Sequence, residues 1–377
     1  VNQRRRLFRF VALVVLSGAA CLSTLSVRAV QTLPVQLSDE AFRRMIEEFS
    51  EDGGAFPSEN FLSNESGYQF VLRPLQAVTR KGGVYIGVGP EQNFTYVVGL
   101  EPRIAFIVDI RRQNMIQHLM YKAAFEKSDN RADFLSRLFS RRRPAGLSAN
   151  STVQALFDAF DAMPPDPEFA AENFQSIHRF LVEENMFSLT SEDEQVLGHV
   201  FDVFSRYGPR LSYSSNVQTV SPTISMPSYA ELMTLDDGAG VNRSYLASEE
   251  NFRLVREMQL KNLIVPVVGN FAGPRAIRAI GEYVRNHAAT VTVFYVSNVE
   301  QYLFLQGVAG EFYENVATLP LDASSVFIRT TNGRAQPTSM VGAREFESIL
   351  GPMMELIRAI REGVVQGYLD ILKIAVP

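Results

Sequence analysis

The chain has 377 residues, 46% hydrophobic and 20% charged, with 27 Phe and no Trp, which suits a globular body with a sizeable core in one large domain or two ordinary ones. Its formal net charge of −5 becomes −10 once the five arginines of residues 1–29 are set aside, and an acidic body excludes nucleic acid as the default partner. Cys21 is the only cysteine, which excludes disulfides and cysteine metal sites from the body.

Residues 1–29 begin basic (NQRRRLFRF), turn apolar (VALVVLSGAACL) and close on SVRA, with small residues at Val27 and Ala29. This is the plan of an export signal cleaved after Ala29. The alternative is an uncleaved anchor, since Phe10 to Val27 is just long enough to span a bilayer. Either way the arginines stay inside and the body is exported, periplasmic or extracellular. The membrane is a partner only through an uncleaved segment. Arg5-Arg6 leaves the twin-arginine route open beside the general one.

Next, Phe42, Met45, Ile46 and Phe49 in LSDEAFRRMIEEFSE (37–51) fall on one face of a Ser-capped helix. Ser58 is expected to cap a short helix, and QFVLRPLQAV reads as another. Val84–Val88 is a buried strand, Pro90 opens a helix to about Leu100, and RIAFIVDI is a second strand: a βαβ unit. From about Arg111 to Lys261 the periodicity is helical throughout, and SEDE (191–194) marks one helix start. Strands return at NLIVPVVGNF, TVTVFYVSN and SSVFIRTT, with helices between. AREFESILGPMMELIRAIREGVVQGYLDILK reads as one long amphipathic helix kinked at Gly351-Pro352.

The expected fold is therefore α/β: a doubly wound, mostly parallel sheet interrupted by a large all-helical insertion. The expected divisions are the N-terminal segment 1–29, helices and the first βαβ unit over 30–110, and a helical cap over 111–260 with a loop at 234–247. The second half of the sheet follows over 261–335, and a C-terminal helix over 336–377.

Ligands of such sheets sit outside the carboxyl ends of the strands. Those ends are Gly87–Glu91, Asp109–Arg112, Gly269-Asn270 and Ser297-Asn298. Gly87 and Gly89 would let the backbone approach a ligand, with Glu91 and Asn93 in the turn and first helical residues beside it. Asp109 lies 22 residues after Gly87 at the next strand's exit, where an acid can accept from both hydroxyls of a ribose. The binding candidates are thus Gly87, Gly89, Glu91, Asn93, Asp109, Asn270 and Asn298. Asn64, Glu65 and Tyr68 in SNESGY are candidates for folding over the site. Arg111 is a candidate for an anionic substrate or for a structural ion pair, and Asp236 and Asp237 in TLDDGAG for a lid or an exposed turn. No GxSxG, Walker A, HExxH or CxxC motif is present, so no catalytic residue is assigned and no metal is expected. His118, His178, His199 and His287 fall in helical stretches and read as helix-face residues.

GVYIGVGPEQNFTYVVGLEPRIAFIVDI resembles the first motif and acidic second strand of S-adenosylmethionine-dependent methyltransferases. SENFLSNE, GVGPEQNFTY, FIVDIRRQN, DDGAGVNRSYLASEENF and VPVVGNFAGPRAIRAIG more closely resemble an uncharacterised bacterial family with such a core, over most of residues 38–375. The resemblance implies a Rossmann-like core, with S-adenosylmethionine as cofactor, contacts near Gly87 and Gly89, and ribose contacts at Asp109. It implies no particular reaction. Tyr85 stands where methyltransferases usually carry an acid, and Glu91 where a third glycine is common. A carboxylate at residue 91 would also repel the pyrophosphate of NAD. Two functions follow: a methyltransferase-like protein of unknown substrate, or an exported, non-catalytic small-molecule-binding protein using the same cleft.

Overall fold

The computed structural model describes residues 32–215, 226–332 and 346–374. Residues 1–29, expected to be an export signal or an anchor, lie outside them, Cys21 included. The apolar runs assemble into a six-stranded sheet of order β3-β2-β1-β4-β5-β6. Its strands are β1 (Val84–Gly87), β2 (Ile104–Asp109), β3 (Ile264–Val268), β4 (Val291–Ser297), β5 (Val326–Asn332) and β6 (Phe346–Pro352). The first five are parallel, while β6 runs antiparallel to β5 with Ile328 opposite Leu350. Every residue of β1, β2 and β3 is buried, the reason these strands read as unbroken apolar runs instead of alternating ones. The winding reverses between β1 and β4, which leaves a crevice at their carboxyl ends.

The helices before β2 are α1 (Asp39–Phe49), α2 (Leu72–Val78) and α3 (Gln92–Leu100), the last joining β1 to β2. Ser38 caps α1 by accepting from the Ala41 N–H at 3.2 Å. Between β2 and β3 lie α4 (Arg112–Glu126), α5 (Arg131–Phe139), α6 (Val153–Asp161), α7 (Pro167–Arg179), α8 (Ser191–Tyr207), α9 (Tyr229–Thr234) and α10 (Glu249–Leu260), with no strand among the described residues. Thr190 caps α8 in a reciprocal capping box with Asp193. After β3 come α11 (Ala276–Asn286), α12 (Val299–Leu305), α13 (Ala309–Val316), α14 (Met353–Arg361) and α15 (Tyr368–Ile371).

The helical region is built onto the sheet. Helix α4 is buried continuously from Asn114 to Phe125, packing on β2 and β3 with one side and on α8 with another. Phe94 of α3 makes edge-on contacts with His118, Tyr121, Phe125 and Tyr245 at 5.3–5.6 Å, a Phe- and Tyr-rich joint that needs no Trp.

Two elements differ from expectation. No helix follows Ser58, because Asn60 takes a left-handed backbone (φ 48°) and Glu59 is drawn off to Ser214, Ser215 and His199. The long C-terminal helix begins instead as β6. The spacing of Phe346, Ile349, Leu350 and Met353 also suits a helix, but Pro352 pushes the residue before it into extended backbone. Gly351 is needed there because a Cβ would lie 1.7 Å from a guanidinium nitrogen of Arg329.

Candidate functional site

The carboxyl ends of β1, β2 and β4 and the loop after β3 surround one cleft with a cavity volume of about 270 Å³, near the lower end of the usual small-molecule range. Gly89 and Pro90 border it after β1, Asp109 to Arg111 after β2, Asn270 and Phe271 after β3, and Ser297 and Asn298 after β4. The extended segment 55–65 lies across it, contributing Phe56, Asn60, Asn64 and Glu65, and α12 closes another side with Tyr302 and Leu303. Of the described residues in the region 111–260, expected to cap the site, only Arg111 and Tyr213 line it. Helix α4 of that region covers β2 and β3, and α8 and α10 pack on α4.

The glycine turn after β1 is shaped by protein groups. The Asn93 amide donates to the carbonyls of Val88, Gly89 and Pro90 at 2.9, 3.1 and 2.7 Å, and its oxygen accepts from Tyr85 OH at 2.8 Å. Asn93 is therefore a turn clasp, fully buried and away from the cleft. Gly87 is also off the cleft. A Cβ there would lie 1.9 Å from the Asn93 oxygen, so its smallness serves this clasp and not a ligand. Gly89 does face the cleft, with φ +75° and open space where a Cβ would go. Its carbonyl also faces His118 Nε2 at 2.9 Å. Burial pushes His118 down to about 4, so the ring is neutral and Nε2 is the donor, leaving Nδ1 with no partner.

Glu91 does not point into the cleft. It is fully buried, accepts from the Ser63 N–H at 3.2 Å through Oε1, and leaves Oε2 without a partner. Burial, aided by the Glu65 charge, pushes its carboxyl up to about 8, so it is protonated at neutral pH. The expected repulsion of a dinucleotide by Glu91 is thereby corrected: a neutral group facing away carries no such effect.

Asp109 sits at the cleft wall, almost fully buried, and both its oxygens are engaged by Arg111. Nε donates to Oδ1 at 3.0 Å and Nη2 to Oδ2 at 2.7 Å, while the Arg111 backbone N–H adds a third bond at 2.9 Å. Arg111 also donates to the Glu59 carbonyl and lies 5.9 Å from the Phe56 ring centroid. Its neighbour Arg112 pairs with Asp193 on α8. Both arginines thus have structural partners, and that of Arg111 is the acid two residues before it.

Glu65 reaches the cleft from the overlying segment. It accepts from Tyr295 OH at 2.8 Å and from Ser297 OH through Oε1, and from Gln92 Nε2 at 2.9 Å through Oε2. Burial and the adjacent Glu65 charge push the Tyr295 hydroxyl well up. Asn64 and Asn298 are half-buried on the lining, and exposed Asn270 folds its side-chain oxygen back onto the Ala272 N–H.

The other three candidates lie elsewhere. Tyr68 is buried and donates to the Leu232 carbonyl at 3.1 Å; its neighbour Gln69 accepts from the Arg243 N–H and donates to the Leu235 carbonyl. These bonds tie Tyr68 to α9 and Gln69 to the 234–247 loop. Within that loop Asp237 accepts from the N–H groups of Ala239 and Val241 and from Arg243 Nε, and exposed Asp236 accepts from the Gly238 N–H. Asp236 and Asp237 shape a turn and do not line this cleft.

Several site residues escaped the sequence reading. Tyr295 lies two residues before the expected strand exit at Ser297, on the same face of β4, so the alternation of that strand carried its signal. Phe56 and Tyr213 come from loops with no periodicity. Glu51 accepts the N–H groups of Asn270, Arg275 and Ala276, filling the start of α11 with a protein carboxylate, and only the tertiary fold brings it there. Among the described residues, no three His, Cys, Asp or Glu side chains cluster as metal ligands, and no helix is long and apolar enough to cross a membrane.

Residues 60–358 match the family model described as a domain of unknown function (DUF7790). The chain belongs to that family. The matched span contains the whole sheet and all but the first part of the segment over the cleft. No methyltransferase family model matches. Among curated proteins, none matches the chain.

Proposed function

We propose that the protein binds a small molecule in this cleft, and that its core is Rossmann-like and related in plan to methyltransferases, with S-adenosylmethionine or a related nucleoside as the ligand class. The observation that carries this reading is positional. Gly89, Asp109, Asn270 and Asn298 come from four strand exits and border one cavity beside the point where the strand order reverses. The open, left-handed Gly89 would suit close approach by a ligand, and Asp109 at the exit of β2 would be the group to meet a ribose. The fit is incomplete, since a ribose must share or displace Arg111.

That pair favours a second reading: an exported, non-catalytic binding protein whose ligand contacts the Asp109–Arg111 unit as it stands. Calorimetric titration of the intact chain with S-adenosylmethionine and S-adenosylhomocysteine, in wild type and Asp109→Ala, separates the two. Binding that disappears in the variant supports the nucleoside reading. Absence of binding by wild type removes the cofactor from it.

A further inference from the structure

Among the described residues, three that line the cleft carry formal charge: Glu65, Asp109 and Arg111. Arg111 neutralises Asp109 through its two-pronged ion pair, so the unbalanced charge of the lining belongs to Glu65. Glu65 is only 2% exposed, and among the described residues the three side chains that donate to it, Tyr295, Ser297 and Gln92, are all neutral. A carboxylate in so dry a place normally has a cationic partner, because its desolvation is otherwise poorly repaid. The backbone is also held in an uncommon state to serve it. Ser297 adopts φ +49°, a left-handed conformation rare outside glycine, at the turn where its hydroxyl reaches Glu65.

We infer that the Glu65 end of the cleft is a cation subsite, accepting the protonated amino group of a small organic ligand, with Tyr295 and Ser297 fixing the carboxylate in place. The inference rests on the cleft being a ligand site but not on the ligand being a nucleoside. It differs from the Asp109 reading in residue and in chemistry: Glu65 selects charge, whereas Asp109 would select hydroxyls.

Two matched pairs of probes test it by calorimetry on the intact chain: 5′-amino-5′-deoxyadenosine against adenosine, and tyramine against tyrosol. The expected result is that in at least one pair the amine binds about tenfold tighter than the alcohol, a difference of about 1.4 kcal/mol. That preference should vanish in Glu65→Gln and survive in part in Glu65→Asp, which keeps the charge and checks that the variants fold. Equal binding of amine and alcohol by wild type, or a preference that persists in Glu65→Gln, overturns the subsite. The two proposals fail differently. Adenosine and its amine binding alike, with tyramine no tighter than tyrosol, keeps the nucleoside cleft and removes the cation subsite, whereas amine-selective binding of tyramine with no binding of either adenosine probe keeps the subsite and removes the nucleoside. No binding by any of the four overturns both.

Discussion

Replacing Arg111 by Ala strips Asp109 of its partner inside the cleft wall. The two side chains are 7% and 6% exposed, and they meet through two short, parallel bonds of 2.7 and 3.0 Å. Removing one member of a buried pair costs about 3–5 kcal/mol, mostly through the charge left behind. Water entering from the cleft relieves part of that, so Arg111→Ala should lose about 3 kcal/mol. Asp109→Asn should lose less, because Arg111 keeps the Glu59 carbonyl and the Phe56 ring. A double-mutant cycle by urea denaturation cancels those side contacts and isolates the pair, with an expected coupling of about 2 kcal/mol. A coupling below about 0.5 kcal/mol would refute the picture of Asp109 as a residue committed to Arg111. The same variant bears on function: if Asp109 accepts a ribose, its release in Arg111→Ala should raise affinity for adenosine, and unchanged affinity would argue that the acid is structural.

The Glu91 carboxyl makes stability depend on pH. Its folded value of about 8 exceeds that of an unfolded Glu, so the folded state holds the extra proton between about pH 4.5 and 8, and stability contributed by that proton declines across this window. The full loss is about 5 kcal/mol above pH 8; Glu91→Gln should flatten this part of the melting-temperature profile between pH 5 and 9, and an unchanged slope would show that another group is responsible. The two glycines of the first turn should separate in denaturation experiments. Gly89→Ala places a Cβ in open space and bears only the left-handed backbone penalty, about 1–2 kcal/mol, whereas Gly87→Ala drives a Cβ into the Asn93 oxygen and should cost at least about 3 kcal/mol. Equal losses would mean that the Asn93 clasp does not shape the turn.

The α/β alternation was legible because β1, β2 and β3 are buried on both faces and leave continuous apolar runs such as Ile104–Val108, which no surface element imitates. The β6 strand was not, since its apolar spacing fits two periods and its pairing with β5 is a long-range fact. Strand exits also pointed to the cleft: Gly89, Asp109, Asn270 and Asn298 all border it. What residue order could not convey is direction. Glu91 and Asn93 lie two and four residues beyond Gly89, yet both turn inward, one to Ser63 and the other to the turn's own carbonyls. Tyr68 is three residues from Glu65 but donates to the Leu232 carbonyl of α9. The use of Arg111 was half visible. An ion pair was one of its two expected roles, but a partner two residues back depends on the abrupt bend at the end of β2.

The clasp formed by Asn93 also has a thermodynamic consequence. Because one amide holds Val88, Gly89 and Pro90, and His118 adds a second hold on Gly89, the rim of the cavity acquires its shape when the chain folds and not when a ligand arrives. The conformational entropy of this turn is lost once, during folding, and is not charged again to each association. A molecule entering here meets a template already set, so the encounter at this wall needs no loop closure and small changes in the ligand's own chemistry should appear almost undiluted in its dwell time.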